Sequence, residues 1–462
     1  MQFPESEPES SFLSKTVLAV FCAIFICFFA IYIRPNRNNY HGFESLSKPT
    51  PLGSETKVGT DQNASAYPSI TPLLTFNWES AEPLVFRPFK PKYHLTMAIT
   101  NLDPSELIPM DKTYLSRLSL RKQLLAKHPD VVRAVNIQHH DPRKNDEIRD
   151  AIYEWYAFVM GTYLPTRYPT MFRLLHSSKD SNDSKGTQIE SLVTGLKVPI
   201  DPRELVHLFS ESEDDAIAGS EVTSVESDSQ SEHRRRKDGL LNLLDTLGSW
   251  IDEDFLILLP SPPSSLDQDQ EPKYHLQAYA TYFPSGFDTR TKLSKPLSEI
   301  HAPVPGYKQK LEKSMDRFFD KLEVGRAVLR VNWSIMTKGT GLFAAFGGLH
   351  DHSSPSDTAS ADTKAGEGKC EGDEEEIKVE GFDGDETYVR CERQTLHRLP
   401  KTKALVFAFH TYLYPIQDIK DEGLGEDLAV AIDGLKEGSV PGIYPYKRGP
   451  YWGEAVKAFL RA

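Results

Sequence analysis

The 462-residue chain holds only four cysteines, and two of them, Cys22 and Cys27, fall within one apolar N-terminal run. Cys370 lies in an acidic stretch, which leaves Cys391 alone in the remainder. No disulfide framework follows from this spacing, and a reducing compartment fits it best. A basic surplus is missing too: 53 Lys and Arg face 66 Asp and Glu, for a net charge of −13. This argues against a surface that neutralises phosphates, so nucleic acid is not an expected partner. There is no Walker A sequence, no G-x-G-x-x-G after a strand, and no G-x-S-x-G, H-E-x-x-H or C-x-x-C. The commonest NTPase, dinucleotide-binding, esterase and zincin chemistries drop out with them.

The acidity is local. Ser210 to Glu232 carries −8 and Asp351 to Asp385 carries −9, so the rest of the chain is slightly basic at +4. Both stretches are poor in aromatic residues, as are Ser177 to Lys185 and Pro260 to Glu271, and all four read as insertions. One long apolar run is present: Thr16 to Ile33 has no charged residue and is flanked by Lys15 and Arg34. Its length suits one membrane crossing. The acidic start and bulky end do not suit a cleaved signal peptide. Arg34 and Arg37 outnumber Lys15, which predicts that the body faces the cytosol, with the endoplasmic reticulum a candidate membrane. The sequence divides into a tail (1–15), an anchor (16–34), a linker (35–75) and one domain (76–462), with disordered inserts near 177–185, 211–236 and 351–384.

Periodicity supplies the elements. Ile148, Ala151, Ile152, Trp155, Tyr156 and Val159 form the apolar stripe of a helix from about Lys144 to Met160. Leu311, Met315, Phe318, Phe319 and Leu322 predict a second helix after Pro305-Gly306. Leu329, Val331, Trp333 and Ile335 alternate with Arg330, Asn332 and Ser334 as in a half-buried strand. Leu405 to Phe409, Phe255 to Leu259 and His275 to Phe283 are further strands. Without a βαβ rhythm, the expected class is α+β with a mainly antiparallel sheet and flanking helices.

The chemistry that remains is that of histidine. His139-His140-Asp141 could contribute two metal ligands, or Asp141 could cap the following helix. His301 lies in Ile300-His301-Ala302-Pro303-Val304-Pro305-Gly306, where two prolines restrict the backbone and could hold an imidazole at a fixed place and angle. It is either a metal or haem ligand or a structural side chain. Cys391 could be a haem thiolate ligand or a small buried hydrophobe.

Phe283-Pro284-Ser285, the His301 segment, Arg330-Val331-Asn332-Trp333-Ser334, and Arg393-Gln394-Thr395-Leu396 with Leu399-Pro400 together resemble the haem-dependent oxidative N-demethylase family. The similarity extends to its membrane-anchored fungal members through Tyr153-Glu154-Trp155 and Pro165-Thr166-Arg167-Tyr168-Pro169, in collinear order from about Phe86 to Ile416. The resemblance implies a PAS-like haem-binding domain acting as a monooxygenase. It would use dioxygen and a separate electron-donating reductase to remove a methyl group from a small secondary or tertiary amine, releasing formaldehyde. It also implies His301 as the axial ligand of haem iron, with His275 and His94 as substitutes. Arg330 and Arg393 are expected on the haem propionates and Trp333 as a wall of the site, with Tyr279 and Tyr282 as further aromatic candidates. The alternative is a non-catalytic haem sensor or carrier of the same fold.

Overall fold

Phe255 to Leu259 is apolar at every position, the pattern of a strand covered on both faces. In the computed structural model it forms an inner strand of a seven-stranded sheet. The structure describes residues 67–87, 89–138, 141–176, 186–217, 228–261, 272–337, 341–344 and 376–462. The strands are β1 (Thr100–Leu102), β2 (Arg133–Val135), β3 (Phe172–Leu175), β4 (Gln188–Ser191), β5 (Lys197–Pro199), β6 (Asp254–Ser261), β7 (Lys273–Ala280), β8 (Ala327–Met336), β9 (Tyr388–Arg398) and β10 (Leu405–Pro415). The longer helices are α1 (Tyr114–Lys127), α2 (Pro142–Phe158), α3 (Pro202–Ile217), α4 (Asp228–Trp250), α5 (Glu312–Lys321), α6 (Gly425–Glu437) and α7 (Gly449–Arg461).

The large sheet runs β1-β8-β9-β10-β6-β7-β2, and every neighbouring pair is antiparallel. β3, β4 and β5 form a separate antiparallel sheet. The protein is thus α+β with helices flanking a mainly antiparallel sheet. Its five long strands lie in the order second, first, fifth, fourth, third, with short helices and α5 between the second and the third.

α2 begins where the sequence places it. Asp141 caps it by accepting from the Lys144 amide at 3.1 Å, while His139 and His140 lie outside the described residues. Its stripe of Ile148, Ala151, Ile152, Trp155 and Tyr156 is fully buried in one core with Leu243, Leu244 and Leu247 of α4 and Phe255 and Ile257 of β6. A second core joins α6 and α7 to β9 and β10 through Leu428, Ile432, Trp452 and Val456. The third lies between the sheet and the segment that holds α5.

Packing starts ahead of the expected boundary at residue 76. Tyr67 stacks on Phe158 at 4.1 Å and Ile70 is buried, because these apolar side chains find cover on α2 and its neighbours. α3 and α4 extend into the acidic stretch, as far as Ile217 and from Asp228. From Glu376 the second acidic stretch is attached to the body: the Ile377 amide donates to Tyr451 and Phe382 packs on Phe459 at 5.2 Å. Among the described residues no helix is long and apolar enough to cross a membrane, and the run from Thr16 to Ile33 lies outside them.

Candidate functional site

A strand turns alternate side chains to opposite faces, so β8 and β9 each present two sets of residues. Register pairs Arg330 with Gln394 and Asn332 with Glu392, and all four line a cavity of about 280 Å³. This is near the small end of the roughly 300–1,000 Å³ typical of small-ligand sites. Phe407 and Phe409 of β10 and Leu256 and Leu258 of β6 continue the same wall. The opposite wall comes from the short helices between β7 and β8 and from α5, through Leu297, His301, Tyr307 and Met315. Tyr93 and Leu95 close one side, and Ile443, Tyr446 and Lys447 contribute from the C-terminal region.

His301 is the C-cap of the Leu297–Ile300 turn, and both its amide and Nδ1 meet the Leu297 carbonyl, at 3.0 and 2.9 Å. A carbonyl oxygen only accepts, so Nδ1 carries the proton and the lone pair is on Nε2. The ring stacks on Tyr307 at 5.0 Å and 18°. The chain reverses between them at Gly306, whose φ of +76° suits glycine and whose close neighbour Val440 leaves no room for a larger side chain. Burial, with Lys292 and Arg330 adding positive charge nearby, lowers the imidazole pKa to about 4, against the pull of the Leu297 hydrogen bond. The side chain is therefore neutral at physiological pH.

Arg330 also meets the cavity, and its Nε is buried without a hydrogen-bond partner. Burial depresses its pKa, with Tyr93 and Glu392 nearby partly offsetting the loss of solvation. Lys447 is buried and has its pKa lowered to about 8, first by desolvation and then by Arg330. Its Nζ donates to Asn332 Oδ1 at 3.0 Å and to the Trp333 carbonyl. Sequence reasoning missed Lys447 and Glu392. The first is remote in the chain, and the second is hidden in the charged run from Arg390 to Arg393.

The remaining expected residues lie elsewhere. Trp333 packs edge-on against Phe89 at 5.9 Å, on the other face of β8. Arg393 reaches the carbonyls of Leu107, at 3.4 Å, and Glu106. Tyr279 donates to the Val131 carbonyl at 3.2 Å, and Tyr282 lies under the Arg121 guanidinium at 4.1 Å. His275 Nδ1 contacts the Ser294 carbonyl at 2.9 Å and His94 is exposed, and neither lines the cavity. Cys391 is buried among apolar side chains that push its thiol up to about 12. Among the described residues no group of three or more His, Cys, Asp or Glu is placed to hold a metal ion.

The donor set facing the cavity suits haem: one neutral imidazole with an oriented Nδ1 proton, a guanidinium whose buried Nε has no hydrogen-bond partner, and largely apolar walls. The volume is small for a macrocycle, so seating one requires the lining side chains to give way. Comparison with protein families matches residues 98–457 to the family described as haem-dependent oxidative N-demethylase, alpha subunit-like. No curated protein matches the chain. The match covers well over half of the sequence, and the chain belongs to this family.

Proposed function

We propose that this member of the haem-dependent oxidative N-demethylase, alpha subunit-like family holds haem in the cavity between its sheet and α5, and removes a methyl group from a small secondary or tertiary amine. The observation that carries the reading is His301, with Nδ1 tied to Leu297 and a neutral ring at the cavity wall. When bound, haem iron supplies the activation of dioxygen and the electron transfer that oxidise the N-methyl group to formaldehyde. His301 Nε2 would hold the iron, and the Leu297 carbonyl fixes the tautomer and ring orientation of the imidazole. Arg330 would pair with a propionate, and the aromatic and aliphatic walls would exclude water. Two electrons come from a separate reductase. The order of the five long strands, with helices between the second and third, supports a PAS-like assignment. Arg393 and Trp333 act from behind the sheet as supports of β8 and β9. Thr16 to Ile33 anchors the chain and leaves its body in the cytosol. Endoglycosidase digestion tests this, because a lumenal body would be shortened at Asn63 or Asn182.

The decisive measurement is the absorption spectrum of the purified full chain. A Soret band is expected, and His301→Ala should weaken or shift it while added imidazole restores it. His275→Ala and His94→Ala should keep the parental spectrum. Loss of the band in His275→Ala with retention in His301→Ala would move the ligand to β7. Formaldehyde release from dimethylamine with a reducing partner separates an enzyme from a haem sensor or carrier.

A further inference from the structure

Among the described residues the cavity has one acidic side chain in its wall, Glu392. It is 5% exposed, and the two oxygens differ: Oε2 accepts from Gln394 Nε2 at 3.0 Å, while Oε1 is buried with no hydrogen bond of good geometry, the cross-strand Asn332 amide lying close enough to favour the charged form. Burial raises its pKa, and the nearby cations Arg390, Lys447 and Arg330 act on it only through their fields, none closing an ion pair with it. Lys447 is committed to Asn332 and the Trp333 carbonyl, and Arg390 to the carbonyls of Phe283 and Leu342 at 2.6 and 3.2 Å. A buried carboxylate oxygen without a partner is costly, and a ligand that brings the missing positive charge removes the cost. Phe407, Phe409 and Tyr446 line the same space, and aromatic faces favour cations and methyl groups alike.

We propose that Glu392 Oε1 receives the ammonium group of the substrate, a small protonated amine carrying methyl groups. This rests on the demethylase reading and adds the residue that recognises the amine. The charge-assisted hydrogen bond selects a cation over a neutral molecule of similar size, and Gln394 orients the carboxylate from its other oxygen.

Calorimetric titration of the purified full chain with dimethylammonium chloride, and separately with uncharged acetone, tests the assignment. The wild-type chain should bind dimethylammonium at least about tenfold more tightly than acetone. Glu392→Gln, similar in shape, should lose about tenfold or more in dimethylammonium affinity while its Soret band and thermal midpoint hold, and Glu392→Asp should recover part of the loss. Equal wild-type affinities for the two molecules, no dimethylammonium binding, or unchanged affinity in Glu392→Gln would each overturn the proposal. The first two outcomes need no variant and stand even if Glu392→Gln fails to fold. Absence of a Soret band counts against the haem reading, whereas a Soret band and formaldehyde release with an amine affinity indifferent to Glu392 count against this assignment alone.

Discussion

His301 and His397 are both uncharged imidazoles, for different reasons. His301 spends one nitrogen on a backbone carbonyl and keeps the other for the cavity. His397 lies against Trp155 at 5.3 Å with neither ring nitrogen partnered, and burial alone holds its pKa at about 4. The ordinary value is about 6.5. As pH falls through that value the unfolded chain takes the proton first, so this group removes stability from about pH 6.5 down to 4. His397→Phe should equal or exceed the wild type in urea midpoint at pH 7.5, and its relative advantage should grow by about 2 kcal/mol at pH 5. A constant difference between the two pH values would show that His397 does not carry the titration. Residue spacing already held part of the site. Arg330 and Trp333 are three apart on a strand, so they could not share a face, whereas the side taken by Arg393 depends on its register opposite Val331, which no local pattern encodes.

Among elements, the joint between α2 and the β9–β10 hairpin gives a physical role to two of the family-like segments. Glu154 on α2 accepts from the amides of Lys401 and Thr402, both at 2.7 Å, and from the Thr402 hydroxyl at 2.6 Å. One buried carboxylate thereby holds the turn that follows Leu399-Pro400. Glu154→Ala should lower unfolding stability by about 3 kcal/mol, and Glu154→Gln by less, as followed by urea denaturation. α6 meets the segment before β1 just as closely. The Gly434 Cα faces the Pro91 carbonyl so tightly that an added Cβ would lie 1.9 Å from its oxygen, and the Tyr93 amide donates to the Gly434 carbonyl at 3.1 Å. Tyr93 and Leu95 carry this contact to the cavity. Gly434→Ala should therefore cost about 3 kcal/mol and shift the Soret maximum as well, because overpacking here displaces a cavity wall. The helices and strands were readable because their periodicities are local. The Gly434 contact was not, since it joins positions more than 300 residues apart.

At the scale of the molecule, the described residues fall within one unit, 62–462. A stretch as polar and acidic as 352–375 has little apolar area to offset an ordering entropy of roughly 1–2 kcal/mol per residue. Replacing 352–375 by a short Gly/Ser loop should leave the thermal midpoint within a few degrees. The replacement must stop before Ile377 and Phe382, whose contacts with α7 belong to the body. Collapse of soluble expression would show that 352–375 is needed as well.

The two outermost strands have a further consequence. β1 and β2 are three residues long, and they flank a sheet whose inner strands reach eleven. Such short borders offer an approaching chain few free amides and carbonyls of their own, which limits growth of the sheet through β1 or β2 into fibrils or accidental dimers. Cutting the chain after Leu102 would strip away β1, free the edge of β8 at Ala327, Val328 and Leu329, and take Ile70 and Leu95 out of the cores as well. Light scattering should then report concentration-dependent association that the untruncated protein does not show.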